Sequence, residues 1–211
     1  MSNFKTTPST IMISTICILA SFIVIGHTFY DIPQSTIAQQ SPSSSLSSSS
    51  LLYENPTYGI KIQYPSNWMA SSNQLPTYNS IIGFYSPLES LSDVLPVELA
   101  LSITTYTNNI SLEEYTKVTS TALEQQGMKI TESESTTLAG NPAHKITFSP
   151  GDLIAQNSPI EFNFMQIFTI IGNKVYSFSY NAEASKFSTH LDTIQQMLNS
   201  LKIQQPSPPS T

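Results

Sequence analysis

The sequence predicts an α+β domain, with a largely antiparallel sheet and helices packed on it. Three observations support this. A series of segments alternates apolar and polar residues, most of these segments are joined by short hairpin-type turns, and two further stretches repeat apolar residues at helical spacing. In order the elements read β-β-β-α-β-β-β-β-α.

The first strand is Tyr58-Gly59-Ile60-Lys61-Ile62-Gln63-Tyr64-Pro65, which opens on a glycine, stops at a proline and leads to Trp68, the only tryptophan. Such a pattern describes a half-buried strand followed by a turn that sets an aromatic anchor in the core. Ser80–Tyr85 reads as the second strand, closed by Ser86-Pro87. In the third, Val97, Leu99, Leu101 and Ile103 point one way while Glu98, Ser102 and Thr104 point the other.

The period then changes. Ser111-Leu112-Glu113-Glu114 forms a capping box, followed by the stripe Leu112, Tyr115, Val118, Ala122 and Leu123, and Gly127 supplies the stop. Lys129–Leu138 and Ala143–Phe148 are strands around the turn Ala139-Gly140-Asn141-Pro142. Glu161–Ile171 and Lys174–Asn181 form a hairpin on Gly172-Asn173. The last element is a helix over Ala184–Leu201, with Phe187, Leu191, Ile194, Leu198 and Leu201 on one face.

The ends are of a different character. Residues 1–38 read as a signal peptide or an N-terminal membrane anchor: the run Thr10–Ile25 is uncharged and apolar, and Lys5 lies on its near side. Thr36-Ile37-Ala38 offers small residues for cleavage. Residues 39–50 are a Ser-rich linker, 51–203 the folded domain, and 204–211 a Pro/Ser tail without order. The domain is therefore expected outside the cytoplasm, secreted or held on the outer face of the membrane.

Composition narrows the function. All 8 basic residues are lysines, and the net charge is −6. An acidic surface without arginine lacks the best phosphate-binding fork, which excludes nucleic acid as a partner. The only cysteine, Cys17, lies in the leader, so the domain has no disulfide or thiolate metal site of its own. No nucleophile elbow, phosphate loop, dinucleotide fingerprint or His-Glu-x-x-His helix occurs, so no enzyme is expected and no catalytic residue is assigned.

The remaining candidates are few. Glu132 and Glu134 share one face of a strand and, with an outer partner such as Asp152 or Glu161, form a candidate site for a hard cation; the alternative is a solvated acidic edge. Tyr58, Tyr64, Trp68, Tyr78 and Tyr85 crowd one edge, either as a binding surface or as core. His144, beside Ile146 and Phe148, reads as a hydrogen-bonded core histidine, and His190 as solvent-facing. Asn109-Ile110-Ser111 is a glycosylation sequon in an exported chain.

Tyr58-Gly59-Ile60-x-Ile62-x-Tyr64-Pro65-x-x-Trp68 resembles the opening of the PsbP-like domain. Thr137-Leu138-Ala139-Gly140-x-Pro142-Ala143 is similar to that family's Gly-x-Pro-Ala turn, and Tyr176-x-Phe178-x-Tyr180-x-Ala182-Glu183, leading to Asn199-Ser200-Leu201-Lys202-Ile203, is similar to its end. The resemblance spans about Leu52 to Ile203. It implies an α/β/α sandwich around an antiparallel sheet, and docking without catalysis. It also implies calcium or manganese as a possible ligand, since some photosynthetic members bind these ions. The expected function is thus a non-catalytic docking module for a membrane-associated protein or envelope component, with a small-ligand or cation carrier as the alternative and a hydrolase as a third.

Overall fold

The computed structural model describes residues 49–72, 80–90, 93–158 and 160–204. In chain order these form β1 (Ser50–Asn55), β2 (Ile60–Pro65), β3 (Met69–Ser71), β4 (Ser80–Tyr85) and β5 (Glu98–Thr105). Next come α1 (Leu112–Gln125), β6 (Met128–Leu138), β7 (Asn141–Pro150), α2 (Asp152–Ala155), β8 (Phe162–Ile171) and β9 (Lys174–Glu183). α3 (Ala184–Ser200) and β10 (Lys202–Ile203) close the domain. The leader, residues 39–48 of the linker and residues 205–211 of the tail lie outside the described residues, and β1 already begins at Ser50.

The strands form two antiparallel sheets rather than one. Seven strands run in the order β3-β4-β5-β9-β8-β7-β6, and three in the order β1-β2-β10. The first strand expected from the sequence therefore belongs to the small sheet. Its alternation holds: Ile60 and Ile62 are buried while Gln63 is exposed.

The large sheet separates two apolar clusters. On one face α1 lies over β6 and β7, and Tyr115 and Leu123 meet Ile146, Phe148, Phe164 and Phe168. On the other face α3 packs on β8 and β9, and the small sheet lies beside it, with Tyr53 and Tyr64 set against Phe84. This is the α/β/α sandwich, with a small sheet sharing one outer layer.

Local chemistry explains most boundaries. The Ser111 hydroxyl accepts the Glu114 N–H at 3.1 Å and opens α1. Asn173 closes the β8–β9 hairpin and exchanges hydrogen bonds with Tyr106, its amide donating at 3.0 Å and its carbonyl accepting at 2.8 Å. The β6–β7 turn is tighter than expected: Ala139 and Gly140 alone make it, both at positive φ (50° and 77°), so β7 starts at Asn141.

Two helix faces depart from expectation. Thr119, not Val118, sits fully buried between Tyr115 and Leu123, which repeat at four-residue steps. On α3, Leu191 is 37% exposed and Met197 is buried beside Ile194 and Leu198. The helix is rotated so that its C-terminal half faces both β2 and the large sheet.

The C-terminus returns to the stretch that opens the domain. β10 pairs with β2, and the Gln204 N–H donates to the Gly59 carbonyl at 2.8 Å. Gly59 has φ 66°, and a Cβ there would overlap the Gln204 carbonyl. Gly59→Ala is therefore expected to destabilise the protein by about 3 kcal/mol, measured as a fall in the urea midpoint. An unchanged midpoint would show that β10 does not hold the fold.

Candidate functional site

The face of the large sheet that α1 covers is only half apolar. The cluster beneath α1 draws on β6, β7, β8 and Val175, and takes no residue from β3, β4 or β5. On the remaining half the same face carries Met69 (55% exposed), Gly83, Tyr85, Glu98, Ala100 and Ser102, with Ser177, Ser179 and Asn181 of β9.

A carboxylate is fixed in the middle of this half. Glu98 lies opposite Tyr85 on one side and Asn181 on the other. The Tyr85 hydroxyl donates to Glu98 Oε1 at 2.9 Å, and the Asn181 amide donates to Oε2 at 2.9 Å. Each carboxylate oxygen keeps a further lone pair for an outside donor. Gly83 makes the arrangement possible, because a Cβ there would overlap the end of the Tyr85 ring. The neighbouring side chains of β8 and β9 are polar although buried: Gln166 donates to Ser177 Oγ at 2.8 Å, and Gln166, Ser177 and Asn181 are each at least nine-tenths buried.

Of the aromatic residues singled out from the sequence, only Tyr85 stands on this face. Trp68 is buried in the opposite core, and Tyr58 and Tyr64 pack against that core. Tyr78 lies outside the described residues. Glu98 and Asn181 escaped notice because they lie 83 positions apart, and neither carries a motif.

The acidic candidates are also divided. Glu132 and Glu134 do come together, around Lys145: its Nζ lies 3.3 Å from Glu132 Oε2 and 2.6 Å from Glu134 Oε1. The hydrogen bond to Glu134 holds the lysine above its ordinary pKa, against the opposing effect of burial. Asp152 is not brought to this pair; it lies in the first turn of α2. Among the described residues no group of three or more His, Cys, Asp or Glu side chains is spaced to hold a metal ion. Asn109 is exposed, and Ser111 of its sequon already caps α1.

His144 is a hydrogen-bonded histidine, with Nε2 2.8 Å from Ser133 Oγ and its ring beside Phe168. Burial lowers its pKa, and the charge of Glu134 partly opposes this. His190 corrects the expectation of a solvent-facing residue. Its side chain is largely buried against Trp68, with Nε2 3.2 Å from Glu89 Oε1 at ion-pair distance and without an aligned hydrogen bond. The reason is the β4–β5 loop, which folds over α3. Asp93 ties it down by pairing with Lys186 at 2.6 Å and accepting the Glu89 and Ser90 N–H groups at 2.6 and 2.9 Å. Burial pushes the Asp93 carboxyl up, but Lys186 and the two amides outweigh it, so its pKa is lowered.

The PsbP-like protein family matches residues 11–203. The chain belongs to this family. Among solved structures, this PsbP-like chain is similar to cyanobacterial PsbP (CyanoP) of Synechocystis, with 15% identity, a TM-score of 0.54, and coverage of 78% of this chain and 98% of that one. It is similar to LpqN of Mycobacterium tuberculosis, with 15% identity, a TM-score of 0.55, and coverage of 69% and 83%. It is also similar to the Ran-binding protein Mog1p of Saccharomyces cerevisiae, with 10% identity, a TM-score of 0.53, and coverage of 73% and 95%. At such identities the likeness establishes the shared fold. No curated protein matches the sequence. Among the described residues no helix is long and apolar enough to cross a membrane.

Two predictions follow from the ion pairs. A depressed Asp93 pKa contributes stability above the unfolded value of 3.8 and loses it as pH falls through the folded value. Asp93→Asn should therefore lower the melting temperature at pH 6 and leave it less acid-sensitive below about pH 4 than the wild type. Millimolar calcium or manganese should not shift the wild-type melting temperature, because Lys145 already sits between the two carboxylates. A rise is expected only in Lys145→Gln.

Proposed function

We propose that this PsbP-like domain is a non-catalytic docking module that acts outside the cytoplasm, tethered to or released from the membrane, and receives a basic partner on the polar half of its large sheet. The observation that carries the reading is the Glu98 carboxylate, oriented by Tyr85 and Asn181 and flanked by small hydroxylated residues. A preformed acceptor among small residues suits a lysine or arginine of a partner protein, and the chain's net charge of −6 favours a positively charged partner.

Several points support the setting. The uncharged run Thr10–Ile25 and the serine-rich stretch after it read as delivery and tether. LpqN is described as involved in cell envelope biogenesis, and Mog1p as Ran-binding, so protein docking and envelope work both occur on this fold. The partner is accordingly a membrane-associated protein or an envelope component.

The test is photo-crosslinking in intact cells from a reactive residue placed at Ser102, with the same residue at exposed Lys129 as control. A product specific to position 102 is expected. Glu98→Lys should reduce it at least about tenfold, and 0.5 M salt should weaken it, while melting shifts by only a few degrees. An adduct that is equal at both positions, or indifferent to Glu98→Lys, overturns the reading. Protease protection of the domain in spheroplasts would overturn the extracytoplasmic location separately.

A further inference from the structure

A second concave site lies on the opposite face of the sheet. A cavity of about 330 Å³ opens between the β6–β7 turn and the last two turns of α3. Leu138, Leu198 and Leu201 close it from below but are buried, so most of the surface it offers is polar. Its walls carry Thr136, Gln195 and Asn199, together with Glu134 and Lys145. The volume is at the small end of the range for ligand pockets, roughly 300–1,000 Å³.

The two charged residues that line this cavity, Glu134 and Lys145, pair with each other. Lys145 Nζ is held by Glu134 and Glu132, so an anion finds no uncommitted ammonium, and the carboxylate that lines the cavity is already paired. What remains is amide and hydroxyl. Gln195 Nε2 donates to Asn199 Oδ1 at 3.0 Å, which leaves the Gln195 carbonyl oxygen as an acceptor and the Asn199 amide as a donor, one turn apart on an exposed helix face. Thr136, across the cavity, has a hydroxyl that both donates and accepts. Paired donors and acceptors on a largely polar surface complement a molecule that carries several hydroxyls.

We propose that this cavity binds a neutral polyhydroxylated ligand, a saccharide unit, either free or as part of a larger glycan. The site does not depend on the docking face around Glu98, which lies on the other side of the sheet.

The experiment is amide chemical-shift mapping on the ¹⁵N-labelled full chain, prepared without sugar-headgroup detergent. It is titrated separately with maltose, N-acetylglucosamine, a soluble glucan, inorganic phosphate and putrescine. Shifts confined to residues 136–140, 145 and 195–201 with at least one sugar are expected. Gln195→Leu with Asn199→Leu should weaken that binding at least about tenfold. Thr136→Val provides a second variant that leaves the helix untouched and should also weaken it. Tighter binding of the glucan than of maltose would assign the site to glycan, and equal binding to free sugar. No shifts with any sugar, sugar shifts indifferent to these substitutions in spectra that remain dispersed, or stronger responses to phosphate or putrescine at the same residues would overturn the proposal.

Discussion

The closure of β10 on β2 is the constraint from which much of the domain's arrangement follows. Two residues of strand and one hydrogen bond from Gln204 to Gly59 are a small contact, yet they fix where α3 ends. Leu201 is buried at the junction, so the helix must present its C-terminal half to the core. That orientation buries Met197 and Ile194 and leaves Leu191 partly exposed. It also sets the Tyr180 hydroxyl 2.6 Å from the Phe187 carbonyl, with the two rings stacked at 4.6 Å. The cavity beside the β6–β7 turn exists because α3 stops there and the chain leaves for β2.

The same closure explains why the loop before β5 needs a clasp. With α3 held at its far end, its first turns are steadied by Lys186 meeting Asp93, and by Glu183, whose carboxylate accepts the Val94 N–H at 3.1 Å. The loop in turn brings Glu89 to His190, whose ring lies against Trp68. An ion pair that is mostly buried is costly to desolvate, and here two backbone amides share in satisfying the carboxylate, which is the geometry in which such a pair repays that cost.

What could be read from the sequence was local. Alternation located β2, β4, β5 and the β8–β9 hairpin, and the Ser111 box located the start of α1, because side-chain direction and capping depend on neighbours a few positions away. The short strands β1, β3 and β10 were not legible. β3 and β10 have three and two residues, and each is a strand because a segment elsewhere in the chain offers hydrogen bonds, Tyr85 facing Met69 and Ile60 facing Ile203, while β1 pairs with the adjacent β2 but shows little burial of its own. His190 was misplaced for a related reason, since its own helix says nothing of a loop arriving from residue 89. The candidate sites failed in the same way. Glu132 and Glu134 could be paired from their spacing, but Lys145 between them and the Tyr85–Glu98–Asn181 contact needed the sheet order.

The two halves of the α1-side face have the same backbone and opposite contents, and folding alone does not account for the difference. Under α1 the strands carry Phe148, Phe162, Phe164 and Phe168, with Phe148 and Phe164 stacked at 5.3 Å. A few ångströms away the central strands carry Gln166, Ser177, Ser179 and Asn181, and β5 adds Glu98. Buried polar groups that satisfy one another contribute little net stability, and apolar residues of the same volume in their place are often neutral or better. A family fold that needed only a core would continue the phenylalanines across the sheet and extend a helix over them. This chain instead keeps a small-residue, hydrogen-bonded floor and clears Gly83 so that a tyrosine can hold a carboxylate in place. The arrangement gives up apolar packing on one half of the sheet and retains an oriented acceptor there. Stability does not require that acceptor; the basic partner proposed above would.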